Sequence, residues 1–126
     1  MRKTLVIGGI ECNFKSSAAI PRMYRLKFGR DVFVDLQKLK KQVELSEKLK
    51  KETGKEDSSI PIDSLEIFEN IAFLMHKHGD SSQPSEIDEW LEQFETFSVY
   101  EVLPEILEMW GLENKQMSTA KKKTEK

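Results

Sequence analysis

Between Ser85 and Leu112 the chain reads SEIDEWLEQFETFSVYEVLPEILEMWGL, eight carboxylates with no lysine or arginine among 28 residues. Half of these residues are apolar, and both tryptophans of the protein, Trp90 and Trp110, lie among them. Acids without a base in their own segment must stay in water or meet bases from elsewhere, while the apolar half must leave water. Only amphipathic elements that bury one face meet both demands. The segment offers no reactive group beyond plain carboxylates, so it points to packing and partners.

The bases lie elsewhere. Residues 1–51 carry 13 basic and five acidic groups, residues 52–80 are net −5, residues 81–113 are net −9, and residues 114–126 are net +4. Such opposite segments can attract within one molecule or between neighbouring copies, although exposed pairs contribute little each. A chain of 126 residues, 38% apolar and 33% charged, supports one modest core. A single domain over residues 1–113 with a disordered basic tail over residues 114–126 is expected. Cys12 stands alone, so a reducing compartment is expected. No apolar run approaches the roughly 20 residues of a membrane span. Leu5 to Ile10 is too short for a secretory h-region.

The apolar spacing predicts a mainly α-helical chain of about five helices with a short N-terminal β-hairpin. Leu5–Ile7 and Ile10–Phe14 flank Gly8-Gly9, a two-residue hairpin signal. A helix starts at Ala19-Ile20-Pro21 and stops at Gly29. Asp31 caps the next, which carries Val32, Leu36, Leu39, Val43 and Leu49 inward to about Lys51. Glu52 to Ser59 reads as a loop. Asp63 with Glu66 forms a capping-box pattern before the stripe Leu65, Phe68, Ile71, Ala72 and Met75. After a loop over Gly79–Pro84, Ser85 caps a helix carrying Ile87, Trp90, Leu91 and Phe94. Ser98 with Glu101 opens the last one, where Pro104 predicts a kink or restart and Gly111 a stop.

Candidate chemistry is sparse. His76 and His78 are two apart, so on a helix they face different ways and make poor joint metal ligands. Cys12 has no histidine close in sequence, and Gly8-Gly9 lacks the rest of a phosphate loop. Neither an enzyme nor a cofactor is expected. Lys15, Arg22, Arg25, Lys27 and Arg30, interleaved with Tyr24 and Phe28, could meet nucleic acid through two helices, but the acidic C-terminal half opposes phosphate. Phe94, Phe97, Tyr100 and Trp110 serve either a core or an interface. A chain this small has few faces on which to hide them all, so some apolar surface and a partner or oligomer are expected.

Three segments in order carry a family resemblance: Ala18–Asp31 (AAIPRMYRLKFGRD), Leu65–Ala72 (LEIFENIA) and Trp90–Pro104 (WLEQFETFSVYEVLP) with Trp110. Together they resemble the tail assembly chaperones of long-tailed, siphovirus-type phages and prophages of Gram-positive bacteria, lactococcal phages among them. The resemblance covers residues 10–112. It implies a non-enzymatic protein that binds the helical, apolar tape measure protein, keeps it soluble and helps load tail tube protein. It also implies self-association into a homo-oligomer, residence in the cytoplasm of the infected host and absence from the mature virion. Phe97, Tyr100, Leu103 and Trp110 are the partner-binding candidates. The alternatives are a small phage DNA-binding regulator using Arg22–Arg30 and a structural head–tail connector protein.

Overall fold

A computed structural model of the chain describes residues 1–53, 62–95 and 99–111. Of the expected loop Glu52–Ser59, Glu52 and Thr53 instead continue α2, whose apolar spacing gives no stop there, and the rest falls outside these residues, as do the Ser98 cap and the basic tail. Two strands, β1 (Arg2–Ile7) and β2 (Ile10–Lys15), precede five helices: α1 (Ala19–Phe28), α2 (Val32–Thr53), α3 (Ile62–Gly79), α4 (Ile87–Glu92) and α5 (Val99–Met109). The chain is mainly helical with an N-terminal antiparallel hairpin, as its spacing predicts.

The hairpin follows from its turn. Gly8 and Gly9 both take positive φ, 56° and 83°, the conformation that suits a two-residue turn to the twist of its strands. The resulting register pairs Ile7 with Ile10, Leu5 with Cys12 and Lys3 with Phe14. Leu5, Ile7, Cys12 and Phe14 share one face and are buried, while Arg2, Thr4, Val6, Glu11 and Asn13 on the other are exposed. A lone hairpin is marginal in water, and this one is held by what its buried face meets.

Helix termini come largely where local chemistry puts them. Pro21 sits in the first turn of α1, and Gly29 ends that helix at φ 68°, its N–H donating to the Arg25 carbonyl at 2.8 Å. The Asp31 carboxylate accepts from the Phe33 and Val34 N–H groups at 2.8 and 3.4 Å and so caps α2. Two expected starts shift. α3 already includes Ile62, so Asp63 lies within its first turn and favours the helix by charge. α4 takes Glu86 as its N-cap, without a side-chain cap bond, which leaves Ser85 one residue outside. α5 runs through Pro104 without a break. Pro104 is exposed, and Gly111 follows at φ 69°.

The arrangement centres on α3. Ile71, Ala72, Phe73, Leu74, Met75 and His76 are buried in succession, so this stretch of α3 is covered on every side. It packs against β2, α1, α2, α4 and α5. The expected stripe was too narrow: Leu65 is half-buried, and Phe73, Leu74 and His76 lie inside. Each large apolar side chain so buried contributes roughly 1.5–3 kcal/mol, against the entropy of ordering it. At the C-terminal end of α3, Gly79 lies against β2 so closely that a Cβ there would stand 2.2 Å from the Asn13 carbonyl oxygen. The missing side chain is what allows α3 to reach the strand.

Candidate functional site

The acidic segment divides into two roles. Trp90, Phe94, Val102, Leu103, Ile106, Leu107 and Met109 are core. Leu103, a partner-binding candidate, is only 1% exposed and sits in that cluster. Trp110 is half-buried: its indole N–H reaches the Met75 sulfur at 3.4 Å, and its ring meets Phe33 edge-on at 5.9 Å. Phe97 and the Tyr100 side chain lie outside the described residues. The structure thus separates Leu103 from Trp110 and leaves the latter at the surface.

Phe33 is the residue that spacing alone passes over. It is 54% exposed, as is Val34 beside it. Val32-Phe33-Val34 are consecutive apolar residues on a helix, where each step turns about 100°. One can face the core, and Val32 does, at 1% exposure. The other two must then point elsewhere, a signal present in the sequence. Phe33 and Val34 are thus exposed beside the start of α2, and the half-buried Trp110 lies against Phe33.

Among the described residues, acids and bases of the two charged segments meet where β1 and α5 adjoin. Lys3 on β1 donates to Glu105 and, at 3.1 Å, to Glu108 on α5. Exposed pairs of this kind contribute little stability, but they orient α5 along the strand. The basic arm is less available than its sequence suggests. The Arg30 guanidinium holds the Asp35 carboxylate through two bonds, 2.7 and 2.8 Å, and Tyr24 donates to the same carboxylate at 2.6 Å. Burial pushes the Asp35 carboxyl up, but these bonds and the Arg30 charge outweigh it and hold it below the usual carboxylate range. The Lys27 ammonium lies 5.6 Å from the Phe73 ring centroid. Arg22 and Arg25 remain exposed.

The histidines have structural partners. His76 is buried, stacks on Phe14 at 5.3 Å and accepts the Trp90 indole N–H at Nδ1, 2.8 Å away. That bond places its own proton on Nε2, and burial lowers its pKa. His78 Nε2 lies 2.8 Å from the Ser17 hydroxyl, which also accepts the Ala19 N–H. Resemblance to a serine–histidine dyad ends there, because no acid bonded to the second ring nitrogen is found among the described residues. The pair ties the start of α1 to the end of α3. Cys12 is buried, and burial pushes its thiol up to about 11, away from nucleophilic character. Among the described residues no group of three or more His, Cys, Asp or Glu side chains is placed to hold a metal ion. No helix of the described residues is long and apolar enough to cross a membrane. Comparison with protein-family models, with curated proteins and with solved structures finds no match to this chain.

Proposed function

We propose that this chain is a tail assembly chaperone of a long-tailed phage or prophage of Gram-positive bacteria, binding the tape measure protein through the surface around Phe33 and Trp110. The observation that supports the reading most is that exposed surface: two side chains, Phe33 and Val34, each 54% exposed at the foot of a capped helix, with the half-buried Trp110 against Phe33. An amphipathic helix of the tape measure protein can lay its apolar face there. Covering the exposed halves of Phe33 and Val34 contributes about 1 kcal/mol each, so several such sites along one long partner are needed for firm binding. Repeated copies supply them, which fits a homo-oligomer. The acidic residues of α4 and α5 keep the complex hydrated. Tail tube protein then replaces the chaperone, which stays in the host cytoplasm and out of the virion.

The test is co-expression with the tape measure protein of the same tail gene cluster. The wild-type chain should keep it soluble and co-purify with it. Phe33→Ser should lose it while folding normally, and Phe97→Ala and Tyr100→Ala belong in the same series. A tape measure protein that stays insoluble with wild type, or this chain found in purified virions, would sink the proposal.

A further inference from the structure

The two edges of the hairpin are not alike. Met1 and Ser16 exchange both backbone bonds, each 2.8 Å, and so form a hydrogen-bonded pair. Such pairs alternate along an antiparallel ladder. Lys3–Phe14, Leu5–Cys12 and Ile7–Ile10 are therefore the bonded pairs, and Arg2, Thr4 and Val6 aim their N–H and C=O groups away from β2. By the same parity Asn13 presents its carbonyl on the outer side of β2, where Gly79 lies against it. The end of α3 blunts the β2 edge. The β1 edge instead borders a trough of about 290 Å³, lined by residues 3–6 of the strand and by Glu101, Val102 and Glu105 of α5.

We infer that the β1 edge pairs with β1 of a second copy of this chain, antiparallel about Thr4, to make a four-stranded sheet across a two-fold axis. The strand is self-complementary in that register. Thr4 faces its own counterpart and Arg2 faces Val6 of the second copy, so no like charges stand opposite one another. On the inner side Lys3 faces Leu5 of the second copy, above the trough.

Charge favours the same arrangement. Lys3 reaches Glu105 and Glu108 of its own α5. Glu101, one turn earlier on α5, therefore lies further along β1, beside its Val6 end. That is where the second strand begins, bringing its Arg2 towards a carboxylate with no ion pair among the described residues, while each Lys3 keeps Glu105 and Glu108 of its own α5. Six outward backbone groups on each strand gain partners. An isologous contact of this kind closes on itself and needs no further copies. It also leaves Phe33 and Trp110, on α2 and beyond α5, free for another partner.

The inference stands apart from the functional reading and is tested on the full-length chain alone. Light scattering after size exclusion should show a dimer at high concentration. The amides of Arg2, Thr4 and Val6 should exchange slowly with deuterium there and quickly on dilution. Thr4→Lys and Thr4→Glu each place like charges face to face and should weaken association roughly tenfold or more. Their hairpins keep every inter-strand backbone bond, so circular dichroism should be unchanged. An equal mixture of the two variants should restore the dimer. A monomeric wild type would overturn the inference. So would association that ignores both variants, or a mixture that stays apart. Slow exchange at this edge produced only by adding an extended peptide from a different protein would also overturn it, because the occupant would then not be a second copy. Tape measure binding that survives in Thr4→Lys leaves the functional proposal standing whatever happens to the dimer.

Discussion

Gly79→Ala sets two effects of opposite sign on one atom. Gly79 closes α3 with an ordinary negative φ, so alanine can adopt its backbone. Helix propensity and the stiffer unfolded chain together favour alanine by up to about 1 kcal/mol. Packing argues the other way. The new Cβ would lie 2.2 Å from the Asn13 oxygen, 2.9 Å from the Asn13 carbonyl carbon and 3.1 Å from that of Phe14. All three are backbone atoms, so no side chain can rotate aside. To regain a normal carbon–oxygen separation of about 3.3 Å, the end of α3 must retreat from β2 by roughly 1 Å. Phe14 and His76 are stacked across that contact, and the shift loosens them too. Overpacking of this kind costs about 1–3 kcal/mol, and a backbone-against-backbone clash belongs at the upper end. The net expectation is a loss of about 2 kcal/mol, or roughly 10 °C in Tm for a domain of this size. A far-UV circular dichroism melt with a urea titration measures it, the midpoint falling at constant slope. An unchanged or higher Tm would refute the reasoning, because propensity would then have won and α3 would not press on the strand.

Leu103→Ala should cost about 2–5 kcal/mol, since Leu103 is fully enclosed. Phe33→Ala should cost about 1 kcal/mol, mainly its edge contact with Trp110; equal melting temperatures for the two variants would contradict the division between core and surface. The pH dependence follows from His76 and Asp35. His76 has its pKa lowered from 6.5 by burial, so the unfolded chain takes up the proton first. Its contribution is complete above 6.5 and is lost as pH falls from there towards the folded value. Asp35 is also lowered, from 3.8, so its contribution is present above that value and is lost only in stronger acid. Melts from pH 8 to 3 should show the first loss below about 6.5, and His76→Gln should reduce it, His78, lowered in the same direction, keeping the rest; a stability that rises between pH 7 and 5 would be the wrong sign.

The readable parts of the fold were those set by neighbours in sequence. Gly8-Gly9, Pro21, Gly29 and Asp31 act on the backbone within a few residues, and each does what its local chemistry implies. The burial of α3 was only half legible, because an apolar stripe shows which face is certain to be buried and not how many neighbours surround the helix. His76 illustrates the gap. Its place beside Phe14 and under Trp90 depends on residues 62 positions before it and 14 after it in the chain. Arg30 illustrates another. It reads as a free base, yet Asp35 lies one helical turn beyond Asp31, and the turn at Gly29 brings the two together. Leu103 and Trp110 look equivalent in an apolar list, and only packing assigns one to the core and the other to its border.

The two tryptophans differ in address as well as in packing, and this gives the chain its own optical labels. Trp90 is sealed among Phe73, His76 and Phe94 with its indole bonded to a neutral imidazole. Its emission should be short in wavelength and should change only when the fold opens or His76 takes up a proton. Trp110 is half-buried against Phe33 and should shift towards the blue when that surface is covered. With Trp90→Phe the remaining signal reports occupancy of the surface, and with Trp110→Phe it reports the integrity of the core. A single fluorimeter titration can then tell a variant that no longer meets its partner from one that no longer folds.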